Sequence, residues 1–134
     1  MATFHFELVS PERLIFSGDV EQVDVPGEEG DFGVFAGHAP FVATLKPGVL
    51  SIHGAGGGGP QRIVVYGGLA EVGGDGLTVL AEEAVPVAEL DPEAVAQSVR
   101  NAEEDVNDAE SDAARDKARL RLEHLKTLNA AFGH

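Results

Sequence analysis

The chain has 134 residues, of which 23 are acidic and 9 are basic, giving a formal net charge of −14 at pH 7. Nucleic acids and anionic membrane surfaces are bound through clusters of Lys and Arg, so this charge balance argues against both kinds of partner. Cysteine is absent, which excludes disulfides, thiolate metal sites and cysteine nucleophiles and favours a reducing cytosol. A hydrophobic fraction of 43% is sufficient for a packed core in one domain, or in one domain with an appendage.

The first part of the chain has the pattern of a β-rich domain. In residues 3–9 the apolar side chains of Phe4, Phe6 and Leu8 alternate with polar ones. The glycine run at 56–59 predicts a loose hairpin tip. No helical stretch intervenes, so the pattern favours a small β-sandwich or barrel over parallel βαβ units. Further short strands are predicted at residues 14–17, 23–25, 41–45, 49–53, 62–66, 69–72, 77–81 and 85–87.

The composition changes near residue 88, and the last part of the chain is predicted to be helical. All 7 prolines lie at or before Pro92, and 16 of the 17 glycines lie at or before Gly76. Asp91 followed by Pro92 is typical of a helix start, with Asp91 as the N-cap. Two apolar stripes at helical spacing follow: Val95, Val99, Ala102 and Val106, then Ala114, Ala118, Leu122, Leu125, Leu128 and Phe132.

The pair Asn107-Asp108 is a weak break between the two stripes, so the segment forms either one long rod or a hairpin of two helices. We favour the hairpin, because neither narrow stripe can bury itself alone and folding back pairs them. The first helix is acidic and the second is basic. The basic side chains of the second are Arg115, Lys117, Arg119, Arg121 and Lys126. These charges either form two solvated faces that attract each other weakly, or allow the basic helix to leave for another acidic surface.

No catalytic or metal-binding constellation is recognisable. The five histidines lack the i,i+4 pairing of a metalloprotease helix, and no serine stands in a GxSxG context. The glycine-rich residues 27–33 are acidic, which is unsuitable for holding a phosphate. We therefore expect neither independent catalysis nor a metal ion or other cofactor. The first ten residues lack a basic n-region and an apolar core, and no long apolar run follows, so we expect neither a signal peptide nor direct membrane insertion.

Residues 30–41 (GDFGVFAGHAPF) stand out among the strand-like segments, because turn formers surround Phe32 and Phe35. One interpretation is an irregular corner whose aromatic side chains fill the core. The other is a shaped loop that offers an acid, Asp31, an imidazole, His38, and apolar groups to a partner.

Four segments resemble the epsilon subunit family of the bacterial and plastid rotary ATP synthase, called delta in mitochondria. They are residues 8–34 (LVSPERLIFSGDVEQVDVPGEEGDFGV), 37–50 (GHAPFVATLKPGVL), 65–72 (VYGGLAEV) and 77–91 (LTVLAEEAVPVAELD). All four stand in the family's order and spacing, whereas the helical tail is similar in length and composition more than in motif. Ala36 replaces the usual proline before Gly-His, which loosens that corner without changing the assignment.

The resemblance implies a ten-stranded β-sandwich over residues 1–87 and an antiparallel two-helix hairpin over residues 88–134. It implies a non-catalytic subunit of the central stalk that couples the membrane c-ring to the gamma shaft. The acidic residue that contacts the ring in the family corresponds to Asp31, with Glu29 and Phe32 beside it. The shaft-facing residues correspond to Gly37, His38, Ala39 and Pro40.

The resemblance also implies a regulatory role for the hairpin. In many members it opens, and its basic second helix meets the alpha/beta catalytic head and blocks hydrolysis. Some members bind ATP on the closed hairpin through (Ile/Leu)-Asp-x-x-Arg-Ala, but here Ala94 stands where the arginine is expected, so we predict weak or no ATP binding. The implied location is the cytoplasmic face of the bacterial inner membrane, as a peripheral part of the complex. The alternative function is a free-standing β-sandwich that binds a small ligand and carries a helical tail.

Overall fold

The computed structural model describes residues 2–54 and 59–132, which form two compact units, Met1–Pro86 and Val87–His134. The first unit is built from strands and the second from helices. The strands are β1 (Phe4–Val9), β2 (Leu14–Val20), β3 (Gln22–Val25), β4 (Phe32–Phe35), β5 (Phe41–Thr44), β6 (Gly48–His53), β7 (Gln61–Gly73) and β8 (Gly76–Pro86).

The pairing of the strands gives two layers that share β7 and β8. The beginning of β7 pairs with β6, and its end pairs with β5. One layer is therefore ordered β2-β1-β8-β7-β5 and the other β8-β7-β6-β3-β4. At the change of layer Gly67 and Gly68 have φ values of +69° and +124°, and a Cβ on Gly68 would collide with the carbonyl oxygen of Leu80. Glycine is required there, since side chains disfavour positive φ.

Residues 2–54 and 59–132 contain eight strands, where the resemblance implied ten. Each layer contains five strand segments, and the ten segments belong to eight continuous strands because β7 and β8 each contribute to both layers. The separately predicted strands 62–66 and 69–72 are one strand, as are 77–81 and most of 85–87. Gly67 and Gly68 lie between residues 62–66 and 69–72 and interrupt the apolar pattern. The pairing of β7 with β8 nevertheless keeps the same register before and after them.

Residues 32–35 form the edge strand β4, which the prediction of an irregular corner within residues 30–41 did not include. Of its aromatic side chains, Phe32 packs against the core, whereas Phe35 is exposed. Only Val34 of this strand is buried, and Gly33 offers no side chain to complete an alternating pattern. Residues 56–58 of the predicted hairpin tip lie outside the described residues. The strands on either side of them, β6 and β7, pair antiparallel.

The core of the first unit lies between the two layers and is built from alternating residues of nearly every strand. Phe6 and Leu8 are fully buried, which confirms the alternation predicted for the first strand, and the ring of Phe16 lies 5.5 Å from that of Phe6. The core consists mainly of β-branched residues, which fit a pleated surface. Its members are Phe6, Leu8, Val20, Val23, Val25, Val34, Leu45, Leu50, Ile52, Ile63, Val65, Ala70, Val72, Leu77, Val79 and Ala81.

The second unit contains a short 3-10 turn (Val87–Glu89) and two helices, α1 (Pro92–Asp108) and α2 (Asp112–Ala131). The helices pack against each other and are joined by a three-residue turn, so they run antiparallel and the hairpin prediction is confirmed. The carboxylate of Asp91 accepts a hydrogen bond from the N–H of Glu93 at 3.1 Å, as expected of an N-cap. The hydroxyl of Ser111 caps α2 in the same way, accepting from Ala114 at 3.1 Å.

Candidate partner-binding site

The turn between β3 and β4 carries the predicted acidic residues and is tied to the end of β5. The N–H of Glu28 donates to the carbonyl of Thr44 at 2.9 Å, and the N–H of Lys46 donates to the carbonyl of Pro26 at 3.0 Å. Gly27 is buried, and a Cβ there would lie 2.5 Å from the carbonyl oxygen of Gly30. The sequence PGEEGD therefore forms a tight turn whose backbone is fixed while its acidic side chains stay in solvent.

Asp31 is 71% exposed and pairs with Lys46, whose Nζ lies 3.0 Å from its Oδ1. An exposed pair of this kind contributes only about 0–1 kcal/mol, so a competing cation can displace Lys46 at little cost. Glu28 and Glu29 are exposed beside it. We call this turn, residues 26–31, the acidic turn. It presents three carboxylates, and one of them forms a weak ion pair with Lys46.

An aromatic cluster joins this turn to β5. The rings of Phe32 and Phe41 meet edge to face, with centroids 5.3 Å apart and planes at 81°. The ring of His38 lies 6.3 Å from that of Phe41. Edge-to-face aromatic pairs add about 0.5–1.5 kcal/mol beyond the area that they bury. The cluster therefore holds the acidic turn and the corner after β4 in a defined relation.

The corner between β4 and β5 contains the residues expected to face a shaft. The N–H of His38 donates to the carbonyl of Phe35 at 3.2 Å, and the Nδ1–H of His38 donates to the carbonyl of Ala39 at 2.7 Å. Gly37 has a φ of +81°, which glycine adopts without strain. Ala39 and Pro40 are exposed at the tip of the corner.

A groove of about 560 Å³ lies between the acidic turn and β5. Four of the predicted site residues line it: Glu29, Asp31, Phe32 and His38. Gly37 instead lines a neighbouring groove of about 380 Å³ that shares His38 with the first, whereas Ala39 and Pro40 line neither. The structure therefore brings the predicted acidic and aromatic residues together around one concave surface.

The predicted site did not include Phe41, Val42 or Lys46. In a strand with one buried face, two consecutive large apolar residues cannot both be buried. The sequence therefore indicated that Phe41 or Val42 is exposed. The link between Lys46 and Asp31 has no signal in the sequence, because it depends on the closure of the turn onto β5.

The five predicted basic residues of α2 differ in their surroundings. Arg115 is half-buried and holds the turn between the helices, since its guanidinium donates to the carboxylate of Asp112 at 3.2 Å and to the carbonyl of Ala109 at 3.3 Å. Arg119 lies 4.0 Å from Asp116. The remaining basic residues are exposed: Lys117, Arg121 and Lys126.

Two titratable groups with shifted pKa values lie away from this groove. A hydrogen bond to Glu7 raises the pKa of His5, with further contributions from Asp19. Burial raises the pKa of Tyr66, and the nearby charge of Glu83 adds to the effect. Among residues 2–54 and 59–132 no three side chains are grouped to hold a metal ion. Within the same residues, no helix is long and apolar enough to cross a bilayer.

Comparison with known families identifies the chain. Residues 3–87 match the family model described as "ATP synthase, Delta/Epsilon chain, beta-sandwich domain". The chain belongs to this family. The ATP synthase epsilon chain of Bradyrhizobium sp. (strain ORS 278) is 56% identical over 128 residues, which cover 96% of this chain and 93% of that protein. The epsilon chain of Rhodopseudomonas palustris (strain BisB18) is 55% identical over 138 residues and the full length of both.

Solved structures agree with this assignment. A chain in the Euglena gracilis mitochondrial ATP synthase (OSCP/F1/c-ring, rotational state 1) superposes with a TM-score of 0.81 at 30% identity, covering 98% of this chain and 82% of that one. A chain in the central stalk/c-ring structure from Tetrahymena thermophila has a TM-score of 0.62 at 14% identity, which shows the fold alone. The prediction of a non-catalytic epsilon-type subunit of ATP synthase is confirmed, and it is preferred to the free-standing ligand-binding module.

Proposed function

We propose that this chain couples the c-ring of a rotary ATP synthase to the gamma shaft through the acidic turn and the corner after β4. Asp31, with Glu29 and Phe32, faces the ring, and residues 37–40 face the shaft. The observation that carries the proposal is the groove at which the two segments meet, because the acidic turn and His38 of the corner line the same concave surface. A joint that transmits torque needs contacts on loops held by strands, and both segments meet that requirement.

Charge reversal tests the ring contact. We expect Asp31→Lys to weaken recovery of the chain with the c-ring by about tenfold, the effect of about 1.4 kcal/mol in binding free energy. Glu12→Lys, an equal change in charge at an exposed site between β1 and β2, serves as the control. The measurement is co-purification with the membrane complex, together with ATP-driven proton pumping. Equal recovery and pumping of the two variants would show that Asp31 makes no ring contact.

The shaft contact is tested at the corner. We expect His38→Ala to reduce co-purification with gamma, because the substitution removes both the imidazole and its hydrogen bond to Ala39. His53→Ala removes the same type of side chain from β6, outside the corner, and serves as the control. Normal binding of gamma by the His38 variant would place the shaft interface elsewhere.

We further propose that the helical unit regulates ATP hydrolysis by reaching the alpha/beta head. Lys117, Arg121 and Lys126 are exposed and available for an acidic surface, while Arg115 holds the inter-helix turn. Deleting residues 88–134 from the assembled complex should leave assembly intact and raise ATPase activity. Unchanged activity contradicts a regulatory role. Loss of assembly contradicts the assignment of partner binding to the sandwich alone.

Weak or absent ATP binding is part of the proposal, because Ala94 occupies the position of the motif arginine and is exposed on α1. Isothermal titration of the isolated chain with Mg-ATP should show no saturable heat at millimolar ligand. The Ala94→Arg variant is the matched test, since it restores the missing guanidinium. We place the chain peripherally at the cytoplasmic face of the bacterial inner membrane, as part of the complex.

A further inference from the structure

β5 forms one edge of its layer, and part of that edge is unpaired. Along its length β5 pairs antiparallel with β7. On the opposite side the acidic turn closes the end of the strand, through the bonds from Glu28 to Thr44 and from Lys46 to Pro26. We call the remaining stretch, residues 41–43 on the side away from β7, the open edge.

The hydrogen-bonding groups at the open edge can be assigned from these contacts. The N–H of Leu45 donates to the carbonyl of Gly68 in β7, whereas the carbonyl of Thr44 accepts from the acidic turn on the other side. Backbone groups of successive strand residues point to opposite sides. The N–H and C=O of Val42 therefore point to the open edge, and those of Ala43 point to β7.

The open edge lacks two of the features that commonly protect an edge strand, namely a charged side chain and a proline. The sequence of β5 is FVAT, with no lysine and no proline within it, and Phe41 and Val42 are 46% and 58% exposed. The opposite edge of the same layer, β2, carries Asp19 and pairs with β1 across a register shift between Leu8 and Val9. Charges and bulges of that kind prevent strand addition, and an unprotected edge is a template for another chain.

The groove beside the open edge determines what kind of chain fits. Residues 41–44 form one side of the groove and the acidic turn forms the other, so an added segment lies between them. The carboxylates of Glu28, Glu29 and Asp31 line this space. They favour a basic side chain, and they disfavour a second copy of a protein whose net charge is −14.

We propose that the open edge of β5 accepts an extended segment of a partner subunit as an added strand. Its backbone pairs with Val42, its apolar side chains lie against Phe41 and Val42, and a basic side chain replaces Lys46 at Asp31. An extended segment can pair with both the N–H and the C=O of Val42, which a helix cannot do. The proposal rests on the proposed function, because the segment belongs to a subunit of the same complex.

Amide hydrogen exchange resolved to single residues tests the backbone pairing. The probe is the full chain, measured free and after assembly with its co-expressed ATP synthase subunits. We expect the amide of Val42 to exchange at least about tenfold more slowly in the complex, while the amides of Ala43 and Leu45, bonded to β7, are protected in both states. Incorporation of the chain without protection at Val42, or with new protection only along β4, overturns strand addition and leaves the proposed function standing. Failure to incorporate at all counts against the proposed function, and with it this proposal.

Two substitutions at Val42 distinguish the contribution of its backbone N–H from that of its side chain. Val42→Pro removes the N–H on the open edge, where proline is tolerated because that N–H has no bond to β7. Val42→Thr keeps the N–H and the branched shape. We expect the proline variant, checked for folding by circular dichroism, to be recovered with the complex about tenfold less than the threonine variant. Equal recovery of the two folded variants overturns the proposal, as does a concentration-dependent dimer of the free chain that protects Val42.

Discussion

The sandwich and the helical hairpin differ in what stabilises them. Among the residues that the structure describes, the core of the sandwich buries sixteen apolar side chains from both layers, including Phe6 and four leucines. In the two helices of the hairpin the buried residues are Val95, Ala102 and Ala131, two of which are alanines. Burying a large apolar side chain stabilises a fold by about 1.5–3 kcal/mol, and an alanine contributes far less. Core packing therefore stabilises the sandwich, whereas the hairpin depends on its helix caps and on the few buried residues between α1 and α2.

This difference predicts which of the two units opens more easily. Segments with few buried apolar contacts open at a lower free energy than a packed core. We expect the hairpin to open while the sandwich remains folded. Substitutions that weaken one unit should then leave the other unaffected.

The largest effect is expected in the sandwich core. Phe6→Ala removes a fully buried ring that packs on Phe16, and should lower the free energy of unfolding of the sandwich by about 3–5 kcal/mol. Urea denaturation followed by circular dichroism measures it. Leu120→Ala is the control on α2, where the side chain is 68% exposed, and should change stability by less than about 0.5 kcal/mol. A similar loss in both variants would contradict the contrast between the units.

The next effect is expected where β7 changes layer. Gly68→Ala places a Cβ against the carbonyl of Leu80 at a φ of +124°, and should cost about 2–4 kcal/mol in unfolding free energy. Gly73→Ala, at the end of the same strand, meets open space and should change stability by less than about 0.5 kcal/mol. Urea denaturation of the two variants checks the difference. Equal stability would show that the change of layer tolerates a side chain.

A smaller effect is expected at the start of α1. Asp91→Ala removes the side-chain acceptor for the N–H of Glu93 and should destabilise the helix by about 1 kcal/mol. Asp105→Ala, in the exposed interior of the same helix, should stabilise it slightly because alanine has the higher helix propensity. Amide exchange across α1 measures both. A change that reached the core strands of the sandwich would contradict the independence of the two units.

The smallest effect concerns pH. The pKa of His5 is raised above its ordinary value of 6.5, first by its hydrogen bond to Glu7 and also by Asp19. Because the folded pKa exceeds the unfolded one, the stabilisation is complete below about pH 6.5 and is lost as the pH rises through the folded pKa. NMR titration should give a lower pKa for His5 in Glu7→Gln. An unchanged value would exclude that bond as the cause.

The sequence correctly predicted the elements that a local residue pattern is sufficient to specify. Alternation identified the buried face of β1, and Asp91-Pro92 located the start of α1, since both depend on neighbouring residues. The strand β4 was missed because Gly33 interrupts its pattern. The continuity of β7 was missed because Gly67 and Gly68 are typical of a turn, while pairing across the sheet keeps the strand intact.

The candidate site shows the same limit. The acidic and histidine residues were identified from the sequence, but the groove that unites most of them forms only when the β3–β4 turn closes onto β5. The ion pair between Asp31 and Lys46 is a consequence of that closure. Pairing between residues far apart in the chain produces no periodic pattern in the sequence, so the sequence pattern alone could not reveal it.

The passage of β7 and β8 through both layers has a mechanical consequence. In a sandwich of separate sheets, sliding of one sheet over the other is opposed by side-chain packing alone. Here two covalent backbones cross from layer to layer and are bonded to each other in step on both sides of Gly67. Shear between the layers must therefore bend or stretch polypeptide as well as displace side chains, which suits the proposed joint between ring and shaft.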